Sequence, residues 1–186
     1  MLCYSTSTFD WTTSDPLNSY ITPDGLRITP TLTNETTTIT NVQIENGYML
    51  NLTADGTCTD TWVNNCVISS NLSIGSIINP VRSARLSTKG RKSIKYGRIE
   101  VTAKLPKGDW MWPAIWLMPE KDTYGPWPKS GEIDIMEARG NAKSYTMGGR
   151  DRYSSTLHWG KVTITSDFFK KEKKKEKTKF MSTTQL

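Results

Sequence analysis

Glu132, Asp134 and Glu137 fall within six residues and are separated by Ile133, Ile135 and Met136. In an extended strand, alternation puts Glu132 and Asp134 on one face and turns Ile133 and Ile135 into the core. Glu137 has the wrong parity for that face, and a single-residue bulge near Met136 would restore it, because the extra residue re-aims those that follow. Carboxylates crowded on one face raise each other's proton affinity, so that one stays protonated as an acid while another stays ionised as a nucleophile. That pairing suits a two-step displacement at an acetal carbon. The run also admits two plainer readings, an exposed acidic strand or an incidental calcium site. Calcium sites, however, draw oxygen ligands mainly from loops, and this run alternates with isoleucine. No cofactor or metal is expected.

Trp112 and Trp116 precede the acidic run, and Trp127 lies in the segment between. An indole is a large, rigid apolar platform with one N–H donor, suited to the C–H faces of a sugar ring. Aromatic side chains serve cores as often, and for Trp112 and Trp127 both readings stand.

These side chains need a scaffold of strands. Thr, Ser, Asn and Gly are frequent, the apolar runs are short, and 10% of residues are aromatic. Strands are expected at 25–29, 36–40, 47–52, 96–105, 112–118 and 132–138, with the turn Pro106-Lys107-Gly108-Asp109 closing the fourth. No amphipathic helix of useful length precedes residue 170, so the sheets are antiparallel and a two-sheet β-sandwich of jelly-roll type is expected. With 186 residues and 35% hydrophobic content, one domain with one core is expected.

The formal charge of +6 does not mark a nucleic-acid binder, since residues 170–179 hold seven Lys and two Glu and so carry +5 of it. That run reads as a solvated, disordered tail. Of the three cysteines, Cys58 and Cys66 enclose a polar turn and are expected to form a disulfide, leaving Cys3 free, with a pair of reduced thiols as the alternative. Asn34, Asn51 and Asn71 head N-x-Ser/Thr triplets and are glycosylation candidates, which favours an extracellular, secreted setting. Residues 1–10 lack the pattern of a signal peptide, and no stretch has the length of a membrane span.

The stretch Ser130 through Glu137 resembles the catalytic signature of glycoside hydrolase family 16 in its laminarinase branch. Tyr96-Gly97-Arg98-Ile99-Glu100, the run 104–116, Tyr124-Gly125-Pro126-Trp127-Pro128, Arg139-Gly140-Asn141 and Leu157-His158-Trp159-Gly160 are similar to the same branch, which includes animal β-1,3-glucanases and β-glucan-recognition proteins. The resemblance implies a concanavalin-like jelly roll acting on β-1,3-glucan, with Glu132 as nucleophile, Glu137 as general acid/base and Asp134 tuning the nucleophile. It also places Trp116 in the substrate cleft and turns His158 toward it. Hydrolysis of internal β-1,3 bonds with retained configuration is expected, with glucan binding without catalysis, or an inactive fragment, as the alternative. The likeness runs from about residue 16 to 160 and is lost beyond. The expected organisation is therefore an N-terminal segment 1–15, a partial catalytic domain 16–165 lacking C-terminal strands and the tail 166–186, in a protein that is monomeric when complete.

Overall fold

The computed structural model describes residues 10–59, 66–160, 167–174 and 179–185, the last two stretches by backbone alone. Two compact units, Met1–Ser87 and Thr88–Leu186, divide the chain, and each has its own cluster of buried apolar residues where one core was expected.

In the first unit, β1 (Ser19–Thr22) and β2 (Gly25–Ile28) form a hairpin, with Gly25 supplying the positive φ of 117° after the Pro23-Asp24 turn. Next come β3 (Thr31–Leu32), α1 (Thr33–Thr36) and α2 (Asn41–Glu45), then β4 (Met49–Asn51) paired with β5 (Val67–Ser69), and β6 (Val81–Arg82) returning to β3. The strand expected at 36–40 is absent. Instead Thr40 caps α2 in a reciprocal box with Gln43, whose side chain reaches back to the Thr40 N–H at 2.9 Å. Trp11, Ile39, Ile44, Leu50, Leu52, Cys66 and Ile78 make the core. The Cys58–Cys66 disulfide is formed across it, as the spacing predicts. Cys3 lies outside the described residues.

In the second unit, β7 (Tyr96–Thr102) is followed by β8 (Ala114–Leu117), β9 (Glu132–Ala138), β10 (Arg152–Trp159), β11 (Asp167–Lys174) and β12 (Lys179–Gln185). One antiparallel sheet has the order β11-β10-β9-β8, and β12 pairs with β7. Ile135, Met136 and Ala138 of β9 are buried, and Ile99 of β7, Leu105, Ile115, Leu117 and Tyr153 pack against them, so this unit is layered as a sandwich is. Ile133, expected in this core, is only half-buried.

The Lys-rich stretch differs from its expectation as a disordered tail. The backbone of 167–174 pairs with β10 from Trp159↔Asp167 to Arg152↔Lys174, and 179–185 pairs with β7 from Thr102↔Lys179 to Tyr96↔Gln185. Mean composition misses this because pairing needs backbone groups, which a charged strand supplies as well as an apolar one.

Candidate active site

The bulge that parity requires is present. Against β8, Ile115 pairs with Met136 but Trp116 pairs with Asp134, and against β10 Ser154 pairs with Glu137 while Thr156 pairs with Asp134. Each partner strand advances one or two residues while β9 advances two or three, so one extra residue is inserted at Ile135–Met136. Glu132, Asp134 and Glu137 thereby share a face. Their cross-strand partners Trp116, Thr156 and His158 stand on that face with them.

Asp134 is the most enclosed of the three carboxylates, with 4% of its surface exposed, whereas Glu132 and Glu137 are half-buried. Burial pushes its pKa up to about 8, and the neighbouring charges of Glu132 and Glu137 and a hydrogen bond with Glu132 push the same way. At neutral pH the cluster thus holds a proton, which belongs to the coupled group as much as to one residue.

A ring of contacts fixes the rotamers. The Trp127 indole N–H donates to Glu132 Oε2 at 2.5 Å. The same indole lies 5.7 Å, centroid to centroid, from the His158 ring, and His158 Nε2 is 3.0 Å from Asp134 Oδ2. With Asp134 protonated, its O–H donates to that nitrogen; with Asp134 ionised, the imidazole N–H donates instead. Thr156, buried on β10, directs its hydroxyl to Glu137 Oε2 at 3.5 Å. The loop carrying Trp127 is held by Ser130, whose hydroxyl donates to Gly125 O at 2.6 Å and accepts from the Tyr124 N–H at 3.0 Å.

The fold brings together Glu132, Asp134, Glu137, Trp116, Trp127 and His158. Trp112 precedes β8, is 73% exposed and takes no part in the hydrogen bonds joining the carboxylates among the described residues. Sequence reasoning missed Thr156, although Ser154, Thr156 and His158 alternate along β10 and mark one polar face. It also treated Trp127 as a platform, whereas its single donor is committed to Glu132. Glu132, Asp134 and His158 each present a ligand atom within 4.8 Å of the others, with His158 Nε2 also within hydrogen-bond distance of Asp134 Oδ2. Of the glycosylation candidates, Asn34 and Asn71 are exposed, while Asn51 is half-buried and its Oδ1 accepts from the Thr53 and Ala54 N–H groups.

A layered antiparallel fold displaying three coupled carboxylates from one bulged strand defines a glycoside hydrolase scaffold. The family model described as XgeA-like, catalytic GH16 domain matches residues 50–185. The chain belongs to glycoside hydrolase family 16. The match starts later than the sequence resemblance and continues past Gly160, where that resemblance was expected to stop.

A β-1,3-glucan-binding protein of Penaeus monodon is 56% identical over 89 residues, 47% of this chain and 24% of that protein. A glucan endo-1,3-β-glucosidase of Cryptopygus antarcticus is 44% identical over 89 residues, 46% of this chain and 30% of that protein. The chain thus spans less than a third of these relatives' length. A solved structure from the human gut microbiota, described among endo-acting O-glycanases that initiate mucin breakdown, covers 88% of this chain and 47% of that one. It is 23% identical with a TM-score of 0.52, and the likeness is one of fold.

Proposed function

We propose that this chain acts on β-1,3-glucans, hydrolysing internal β-1,3-glucosidic bonds by double displacement with retained configuration. The observation that carries the proposal is the convergence of Glu132, Asp134 and Glu137 through the β9 bulge around one shared proton. Glu132, oriented by the Trp127 N–H, would attack the anomeric carbon while Glu137 protonates the departing glycosidic oxygen. Forming the glycosyl ester removes the charge of Glu132, one of the causes holding a proton on Asp134, so the cluster's proton affinity falls as the intermediate forms. Glu137, now ionised, then activates water to release the sugar. Trp116 and His158, on the same face, would line the cleft. The disulfide and the two exposed sequons support secretion.

Incubation with laminarin, followed by proton NMR of the first product, tests the mechanism. Initial β-anomer is expected, and initial α-anomer would exclude the roles given to Glu132 and Glu137. Azide should restore turnover of an activated substrate by Glu137→Ala and give the β-glycosyl azide, whereas α-azide would show direct attack without a Glu132 ester.

The 56% identity with the β-1,3-glucan-binding protein of Penaeus monodon favours a second reading, recognition of β-glucan without cleavage. Laminarin bound but left intact over a prolonged incubation would select it.

A further inference from the structure

Trp110 has the largest exposed apolar side chain in the least favourable backbone: it is 98% exposed, and its φ of 67° makes it the one positive-φ residue other than glycine among those described. A bulky residue held in left-handed conformation costs stability, and such strain persists where the surroundings over-determine it. The surroundings here do so. The Gly108 N–H donates to Gly140 O at 3.0 Å, the Gly140 N–H donates to Met111 O at 2.9 Å, and the Asn141 side-chain amide donates to Asp109 Oδ1 at 2.9 Å. The approach is close enough that a Cβ on Gly140 would stand 2.3 Å from Gly108 O, so glycine is required there. Loop 106–113 is therefore clamped to the residues directly after Glu137 on the β9 path, and the Ala138 N–H adds a bond to Pro113 O. The clamp lifts an indole into solvent where burial would have been favourable, and gains no packing in return.

We propose that Trp110 is an outer platform for the polysaccharide, stacking on a sugar ring beyond those flanking the bond to be cleaved. Gly140, the clamp point, is three residues past Glu137, roughly 10 Å along an extended strand, so a long glucan chain spans from the carboxylates to the loop and a disaccharide does not. A clamped loop suits this role, because its backbone is already ordered and has little freedom left to lose on binding. The inference rests on the proposed function, since it takes the ligand of the carboxylate site to be a β-1,3-glucan.

Trp110→Gly tests it, because glycine adopts the left-handed φ freely and the loop keeps its backbone. Affinity electrophoresis and calorimetry of the full chain with laminarin should show binding about tenfold weaker, laminaribiose should bind as before, and Tm should stay level or rise as the strain is relieved. Trp110→Phe, which keeps a ring, should recover most of the laminarin affinity. Unchanged laminarin affinity in Trp110→Gly would overturn the platform while leaving the proposed function standing, and so would an equal loss for laminarin and laminaribiose or a fall in Tm. A wild-type chain that neither binds nor cleaves laminarin would overturn both.

Discussion

Asn18 in the first unit and Asp134 in the second are both buried polar residues, yet their surroundings differ in kind. The Asn18 side-chain amide donates to Thr29 O, Thr31 Oγ1 and Arg82 O, and its Oδ1 accepts from the Thr13 hydroxyl. Arg82 nearby is paired with Asp15 at 3.0 Å and lies over the Trp11 ring. Asp134 is enclosed with two carboxylates of its own sign and relieves the conflict by keeping a proton. Around Asn18 the first unit matches donors to acceptors, as a buried polar group must be if it is to cost little. The second sustains a like-charge cluster that lowers stability and whose compensation is chemical.

The largest effect expected from that contrast is on catalysis. Glu132→Ser should lower laminarin hydrolysis at least about a thousandfold while leaving the denaturation midpoint in urea level or raised, because one of three repelling charges is gone. Wild-type activity in this variant would remove Glu132 from the reaction. A marked loss of stability would place the cluster among the structural networks with Asn18.

Asp134→Asn sharpens the same point through pH. The folded protein holds the Asp134 proton to about pH 8, whereas the unfolded chain releases it near 3.8, so between these values the folded state binds more protons and stability falls as pH rises. The amide does not titrate. Its Tm advantage over the wild type should therefore be near zero at pH 4 and grow steadily to pH 8, with activity lowered because the field at Glu132 has changed. A Tm difference independent of pH would show that Asp134 does not hold the proton.

Much of this site is legible in sequence because strand parity is simple arithmetic. The bounds of β9 match expectation, and the bulge follows from requiring Glu137 to join Glu132 and Asp134. Trp127 was legible as a residue of interest but not in its role, since an irregular loop has no period from which to read where an indole N–H points. Thr36 to Thr40 misled because β-branched residues favour strands, while the Thr40/Gln43 capping pair was a stronger local signal for α2. The Lys run misled for a different reason: charge describes side chains, and β11 and β12 are described by backbone pairing. Two cores in place of one arise because no composition rule says which apolar residues meet.

Removing the disulfide probes the matched region at a smaller scale. Cys58 and Cys66 lie eight positions apart and close a short loop, and loop-closure entropy puts the loss for the double serine variant at about 2.5 kcal/mol. Urea denaturation measures it. Cys66 is fully buried in the first unit's core, so the single Cys66→Ser variant should lose more than Cys58→Ser, because it also places a hydroxyl among apolar side chains. Equal losses would mean that only the covalent link matters.

The smallest expected effect, and the direct counterpart of Asp134→Asn, is Asn18→Ala. Deleting the amide leaves the Thr29 and Arg82 carbonyls and the Thr13 hydroxyl without that partner, and Asn18 is fully buried, so water replaces it poorly. Unmet buried acceptors and a small cavity together should cost about 2 kcal/mol, read as a lower urea midpoint. Unlike the Asp134 variant, the loss should be the same at pH 5 and pH 8, because neither the amide nor the groups it bonds titrates in that range. Asn18→Asp separates geometry from charge: it keeps the acceptor oxygen for Thr13 but turns a donor toward two carbonyls into a second acceptor, so near neutral pH it should be less stable than Asn18→Ala. If Asn18→Asp were instead as stable as the wild type, the first unit would tolerate mismatched polar burial as the second does, and the contrast between them would fail.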